Sequence, residues 1–271
     1  MAKAQNDPSS PLELAVSMRD RNVMHMLSDA LLTNDTFLAF QPIVRAGHPS
    51  QIGFVEGLMR VRDGTGRIVP ARDFMPQVET TELGRRMDVR ALELGLQALS
   101  AHPNIRLSIN MSARSIGYPD WTRVLERGLA EARGIAERLI LEITESSAML
   151  MPDLVTVFMD ELQERGVSFA LDDFGAGYTS FRFLREFFFD AVKIDGQFIE
   201  GVASNSDNQV LTRALVSIAE HFEMFTVAEM VTNADDARFL REAGVDYLQG
   251  YLFGVPRPEI PARGLSNLRS A

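Results

Sequence analysis

Two adjacent carboxylates, Asp172 and Asp173, close a short apolar run and lead into Phe174-Gly175-Ala176-Gly177-Tyr178. Within that run Val167, Phe169 and Leu171 share one parity, and Ser168, Ala170 and Asp172 share the other. A β-strand would send the two sets to opposite faces. Small residues leading up to an acid suit the crowded interior of a barrel that opens at its mouth. Neighbouring acids repel unless a cation lies between them or they share a proton. Hard divalent cations take oxygen ligands of this kind. Taken alone, the pair is explained equally well as a solvated turn at a strand end, where Asp and Gly are common.

Other polar side chains fall at or near the ends of other apolar runs: Glu56, Asn110, Glu142, Lys193, Glu229 and Gln249. In an α/β barrel the carboxyl ends of the strands meet at one mouth, where catalytic residues gather. Asp172 and Asp173 cannot both point inward from a regular strand, so the second is expected to turn at the loop, with Gly175 and Gly177 permitting it. The carboxylates of Glu56, Glu142, Asp172, Asp173 and Glu229 around one lysine would repel strongly if left bare. Their oxygens suit Mg²⁺ or Mn²⁺. Two such ions can hydrolyse a phosphodiester, one activating the water and both stabilising charge on the attacking and leaving oxygens. Lys193 then holds a phosphate or the nucleophilic water, or serves only as a structural partner to an acid. Glu229 is a general base, or it supports the ligands from behind. Gln249 is a site amide or a turn residue. Arg60 has the strand parity of Glu56 and could grip a phosphate as a fork. His25, His48, His102 and His221 lie outside these motifs.

The elements that must position these groups alternate along the chain. Strands are expected over 37–45, 52–61, 106–112, 139–145, up to Asp172-Asp173, and over 191–195, 225–229 and 246–249. Helices are expected over 83–100, 121–133, 154–165, 178–188, 208–222 and 234–243. Ser10-Pro11-Leu12-Glu13 reads as a helix start, with Leu12, Val16, Val23, Leu27 and Leu31 as an approximate apolar face that braces the barrel. Pro42 argues that its strand is an edge or irregular one. The expected fold is therefore one α/β, TIM-like (β/α)8 barrel with an N-terminal helix. The expected organisation is a tail and bracing helix over 1–34, a barrel over 35–262 and a tail over 263–271.

Composition sets the outer bounds. The chain has 271 residues, 46% hydrophobic, a net charge of −10 and no cysteine. The charge argues against a broad nucleic-acid surface, so no DNA or RNA polymer is expected as a partner. The absence of cysteine excludes disulfides and thiolate metal sites. MAKAQNDPSS lacks an apolar signal core, and no run is long enough to span a bilayer, so a cytoplasmic protein without a membrane span is expected.

In this order the pieces resemble the EAL family of cyclic di-GMP phosphodiesterases, from Phe40-Gln41-Pro42-Ile43-Val44 to Gly250-Tyr251-Leu252-Phe253-Gly254-Val255-Pro256. The pieces between are Glu56-Gly57-Leu58-x-Arg60, Ser108-Ile109-Asn110-Met111-Ser112, Leu141-Glu142-Ile143-Thr144-Glu145, Asp172-Asp173-Phe174-Gly175-Ala176-Gly177-Tyr178, Val192-Lys193-Ile194-Asp195, Val227-Ala228-Glu229 and Leu248-Gln249-Gly250-Tyr251. The resemblance implies a barrel with one antiparallel strand and hydrolysis of cyclic di-GMP to linear pGpG in bacterial signalling, with Mg²⁺ or Mn²⁺ at a two-metal site. It implies that Glu56, Asn110, Glu142 and Asp172 bind one metal, and that Asp172 bridges to a second held also by Asp173. Lys193 and Glu229 would position or deprotonate the water, and Gln41, Arg60 and Gln249 would help hold the dinucleotide. Glu145 would anchor the loop after Asp173, which in the family links the metal site to a dimer interface; a homodimer and a regulatory protein partner are expected. Three positions depart from the family pattern: Gly57 for alanine, Met230 for glycine and Thr232 for an acid. They motivate the alternatives of a silent cyclic di-GMP receptor or a protein-interaction scaffold.

Overall fold

The computed structural model describes residues 11–131, 134–176 and 183–261. Its strands are β1 (Thr36–Arg45), β2 (His48–Arg62), β3 (Ile68–Pro70), β4 (Leu107–Asn110), β5 (Leu139–Thr144), β6 (Ser168–Phe174), β7 (Ala191–Ile194), β8 (Phe225–Ala228) and β9 (Tyr247–Gln249). Its helices are α1 (Pro11–Thr33), α2 (Met75–Val78), α3 (Glu82–Ala101), α4 (Pro119–Glu131), α5 (Glu145–Ala148), α6 (Pro152–Gln163), α7 (Gly196–Ile199), α8 (Ser206–His221) and α9 (Ala234–Glu242). The sheet runs β1-β9-β8-β7-β6-β5-β4-β2-β3 and closes through a β1–β2 pairing, with β3 an extra strand on the rim. β1 is antiparallel to both its neighbours, β2 and β9, whereas the pairings from β2 through β4 to β9 are parallel. This is the TIM-like barrel expected from the alternating elements, with the one antiparallel strand that the family resemblance implies.

Closure decides between the two expectations for the strand carrying Pro42: β1 is irregular and not an edge. Its ladder to β9 covers only Ile43 to Arg45, and the next contact on that side is the Phe40–Arg257 bridge, in which Phe40 N donates to Arg257 O at 2.6 Å. Pro42 sits in the gap between them, where a missing N–H interrupts no ladder bond. Gly254 packs there, and a Cβ on it would come within 2.8 Å of Pro42 Cγ.

Two-residue periodicity sorts the barrel into layers. Ile43, Phe54 and Val227 are buried together, with Ile140 and Tyr247 packed on them, as an apolar cluster separate from the main core. Each lies two residues before, or for β1 two after, a polar residue of like parity: Gln41, Glu56, Glu142, Glu229 and Gln249. An apolar plug therefore underlies a polar layer. The opposite parity faces the helices: Leu107, Ile109, Leu141, Phe169, Leu171, Val192 and Ile194 join the core that also holds Leu92, Leu96 and Leu99 of α3. Val23, Leu27 and Leu31 of α1 pack against the same core; the side chains of Leu12 and Val16, the rest of the expected apolar face, lie outside those described. Ser10 and residues 177–182 lie outside the described residues, so the helix start at Ser10 and the first part of the helix expected over 178–188 do too. Phe183–Arg185 is a single 3₁₀ turn.

Gly57 is not an empty position. A Cβ there would come 2.7 Å from Ile109 Cδ1, and one on Gly95 of α3 would come 2.8 Å from the same atom. The Ile109 side chain has taken the room of the missing methyl. Gly57→Ala alone should therefore cost ~1 kcal/mol from overpacking, and Ile109→Val alone ~1 kcal/mol from lost packing. The double variant should lose less than the sum by ~1 kcal/mol, as read from urea unfolding of all four proteins.

Candidate active site

Each of the eight barrel strands delivers a polar group to the layer above the apolar plug: Gln41 from β1, Glu56 from β2, Asn110 from β4, Glu142 from β5, Asp172 and Asp173 from β6, Lys193 from β7, Glu229 immediately after β8, and Gln249 from β9. Register aligns them, with Gln41 opposite Glu56 and Asn110 opposite Glu142. The centre is Lys193, 1% exposed. Its Nζ lies 2.7 Å from Glu229, 2.9 Å from Glu142, 3.1 Å from Asp172 and 3.4 Å from Glu56. A buried ammonium is tolerable only with such partners. Lys193 therefore meets the acids and not bulk solvent.

The remaining valences of Glu56 are met by amides. Asn110 Nδ2 donates to Glu56 Oε1 at 2.8 Å. Gln249 Nε2 donates to Glu56 Oε2 at 2.6 Å and to Gln41 Oε1 at 3.2 Å. Gln41 Nε2 donates to Gly254 O at 3.1 Å. Gln249 is therefore a site amide and not a turn residue.

The end of β6 corrects the expected turn. Asp173 itself takes the left-handed conformation, φ 56°, and the pairing to β7 shifts register between Leu171 and Phe174. One extra residue swings the second acid out of strand geometry. Asp, with its short polar side chain, is among the residues that tolerate this. Gly175 follows at φ 92°, and its N–H donates to Glu145 Oε2 at 3.2 Å. Glu145 was expected within a strand; it is instead the buried first residue of α5, and from there it reaches the loop after Asp173.

Charge is over-supplied. Burial and then Glu56 push the Glu142 carboxyl well above the usual range, against Lys193. Burial pushes Glu229 up to about 8, although Lys193 opposes it. Burial, Asp172 and Asp195 push Asp173 to about 6. Glu56 ends below its ordinary value, because Lys193 and the two amides outweigh burial. Lys193 ends well above its own, because Asp172, Glu142, Glu229 and Glu56 outweigh burial. With every acid ionised, five carboxylates face one ammonium.

Divalent cations fit this donor set. Asp172, Asp173 and Glu229 each offer a carboxylate oxygen within 4.8 Å of the others. Glu142 Oε1 is buried without a hydrogen bond of good geometry, although the Ser108 hydroxyl stands near enough to favour the charged form. Hard oxygen donors in excess of the local positive charge are what Mg²⁺ and Mn²⁺ take. The tightest grouping includes Glu229, which sequence reasoning placed with the water and not with the metals.

The site opens into a cavity of about 1110 Å³. Arg60 lines it, half-buried, with Nη1 donating to Met59 O at 2.9 Å. Burial and then Arg72 draw its pKa down; Arg72, on the turn after β3, also lines the cavity and was not singled out from the sequence. Met230 and Thr232 also line the cavity. Asp88 was also missed. It sits on the buried face of α3 beside Met87, Ala91 and Leu92, and that periodicity is a signal that could have found it. Its Oδ2 accepts from Ser112 N at 3.0 Å and Ser115 Oγ at 2.6 Å, fixing the loop after Asn110.

The family model for the EAL domain matches residues 24–256. The chain belongs to the EAL domain family. "Cyclic di-GMP phosphodiesterase PdeF" of Escherichia coli (strain K12) is 32% identical over 242 residues, which are 88% of this chain and 32% of that protein. The chain thus spans about a third of that relative's length. Of the solved structures, "PaMucR Phosphodiesterase, c-di-GMP complex" is 30% identical at a TM-score of 0.76, covering 88% of this chain and 98% of that one. The FimX EAL domain from Pseudomonas aeruginosa bound to c-di-GMP is 24% identical at a TM-score of 0.81, covering 90% of this chain and 99% of that one, a likeness of fold. No helix among the described residues is long and apolar enough to cross a membrane.

Two outcomes follow from the charges. Because burial raises Glu142 and Glu229 above the usual carboxylate range, the latter to about 8, Mn²⁺ binding at pH 7 should expel protons. Calorimetric titration in two buffers of different ionisation enthalpy should show that release, and affinity should rise between pH 6 and 8. Asp88, pushed by burial to about 7, costs nothing below its unfolded value of 3.8 and is charged at full cost above 7. Stability is therefore lost as pH rises through that window. Asp88→Asn should raise the thermal midpoint at pH 8 and leave it nearly unchanged at pH 4.

Proposed function

We propose that this chain hydrolyses cyclic di-GMP to linear pGpG, using two divalent cations, Mg²⁺ or Mn²⁺. The observation that carries this reading is the convergence of four carboxylates on one buried lysine at the mouth of an EAL barrel, with Asp173 beside them and oxygens of Asp172, Asp173 and Glu229 within 4.8 Å of one another. The first cation would be held by Glu56, Asn110, Glu142 and Asp172, and the second by Asp172 and Asp173, with Glu229 close enough to join them. When bound, the cations would supply charge stabilisation for the phosphoryl oxygens and a water of lowered pKa.

The chain's own residues do the rest. Lys193 neutralises part of the acid charge and orients Glu142, Asp172 and Glu229 by direct contact. Glu229 carries a proton at neutral pH in the bare site; deprotonated, its carboxylate accepts a proton from the attacking water. Arg60 faces the cavity as a guanidinium for a phosphate, and the Gln41–Gln249 amide pair holds the rim of the site where the dinucleotide backbone would lie. Glu145, through Gly175 N, fixes the loop that carries Asp173. A homodimer and a cytoplasmic location are part of the same reading.

The expected result is release of pGpG from cyclic di-GMP with Mn²⁺, lost in Glu56→Ala and on chelation. Turnover equal to that of the Glu56→Ala control would refute the assignment and favour a silent receptor. Asp173→Asn should lower kcat by more than ~100-fold, because its charge serves the second cation. The same variant should keep or raise the thermal midpoint in EDTA, because in the bare site that charge is held against burial and repulsion by Asp172. Parallel loss of rate and midpoint would mark the residue as structural.

A further inference from the structure

Met230 follows Glu229 in the chain and has φ 54°, a backbone conformation that is costly for a residue with a side chain. It cannot relax by a local shift, because both flanks are pinned. Glu229 N donates to Ile194 O at 3.3 Å on β7, and Val231 N donates to Gln249 O at 2.9 Å on β9. Leu252 N donates to Val231 O at 3.2 Å. Gly250 makes the second clamp possible, since a Cβ there would come 2.0 Å from Val231 O.

The conformation fixes where the side chain goes. It lies over Gly196, where an added Cβ would come 2.4 Å from Met230 Sδ and 2.6 Å from Cγ. A bare backbone carbon thus serves as a seat for the thioether. Met230 is nonetheless 57% exposed. It lines the cavity together with Asp173, Glu229 and Tyr251. Packing does not explain a large apolar side chain held in a costly conformation, seated on one side and open on the other above a charged floor. Strain of this kind, held in place by its surroundings, marks functional positions.

We infer that Met230 is a specificity residue whose thioether forms an apolar edge of the cavity, against which the face of one purine ring of the dinucleotide packs. The inference rests on the reading of the cavity as a cyclic di-GMP site. Sulfur is polarisable and makes favourable contacts with aromatic rings, and methionine suits an irregular contact surface. Gly196 behind it restricts the otherwise flexible chain, so less rotamer freedom is lost on binding.

The test compares wild type, Met230→Gly and Met230→Leu. Cyclic di-GMP binding is measured calorimetrically in EDTA, turnover in Mn²⁺, and thermal midpoints are taken throughout. Met230→Gly should weaken binding and raise KM by about three- to tenfold, the range a sulfur–ring contact allows, and should depress kcat far less than it raises KM. Its midpoint should hold or rise, because glycine accepts the left-handed backbone. Met230→Leu should fall between the two. A drop in kcat at unchanged KM would overturn the inference, showing that Met230 acts only by placing Glu229. Unchanged binding in both variants would overturn it as well. If wild type binds no cyclic di-GMP, the reading of the cavity itself fails; if wild type binds and Met230→Gly binds equally well, only the inference fails.

Discussion

An ammonium removed from water must be surrounded by negative charge, and here that requirement organises the whole mouth of the barrel. Lys193 reaches four acids from four other positions around the sheet. The apolar layer beneath it, built on Ile43, Phe54 and Val227, keeps water from the lower side and strengthens every interaction above. The same exclusion of water penalises the acids. Burial is the largest influence raising Glu142 and Glu229, so the bare site settles its surplus of acid by holding protons. A site in that state gains from any divalent cation that can displace them, which is why charge excess, and not any single ligand, is its defining property.

Placing so many groups on one layer bends the backbone where two strands end. Asp173 near the end of β6 and Met230 after β8 both adopt positive φ. Neither is a glycine, and each is held by a neighbour that fixes the next turn: Gly175 through Glu145 in the first case, Val231 through Gln249 in the second. Gln249 thus has two tasks. Its side chain donates to Glu56 and its carbonyl accepts from Val231, so the strand that completes one acid's hydrogen bonds also pins the segment carrying another.

Much of this was legible in sequence because two-residue periodicity both predicts strands and assigns faces. Glu56, Asn110, Glu142, Asp172 and Lys193 each interrupt an apolar run, and interruption of that kind in a barrel strand points inward. Asp88 escaped because its work is done from a helix, where it is a lone acid on the apolar face of α3. Glu145, the loop anchor that the resemblance implies, was expected at the end of a strand but opens α5 one residue past β5. Pro42 left an edge and an irregular strand both open, because a proline's cost depends on which neighbour its nitrogen faces, and the gap between β9 and the Arg257 bridge is a tertiary fact. The left-handed turn at Asp173 was assigned to the following glycines because residue type alone does not say where a register shift falls. The short β3, α2 and α7 carry too few residues to show a period.

The departures from the family pattern can be weighed by what they touch. Gly57 removes a methyl whose space Ile109 Cδ1 already fills, so the strand bearing Glu56 keeps its packing and its carboxylate keeps Asn110 and Gln249 as donors. Thr232 is exposed on the cavity wall. An acid there would add a negative charge to a mouth that already has a surplus. A hydroxyl leaves that rim neutral while Arg60 and Arg72 stand on another part of the wall. For an anionic ligand the exchange lowers repulsion on approach, and it removes none of the oxygens gathered around Lys193. The changes at Met230 and Thr232 thus fall on the cavity wall and that at Gly57 on the packing behind it, and the charged layer is left whole.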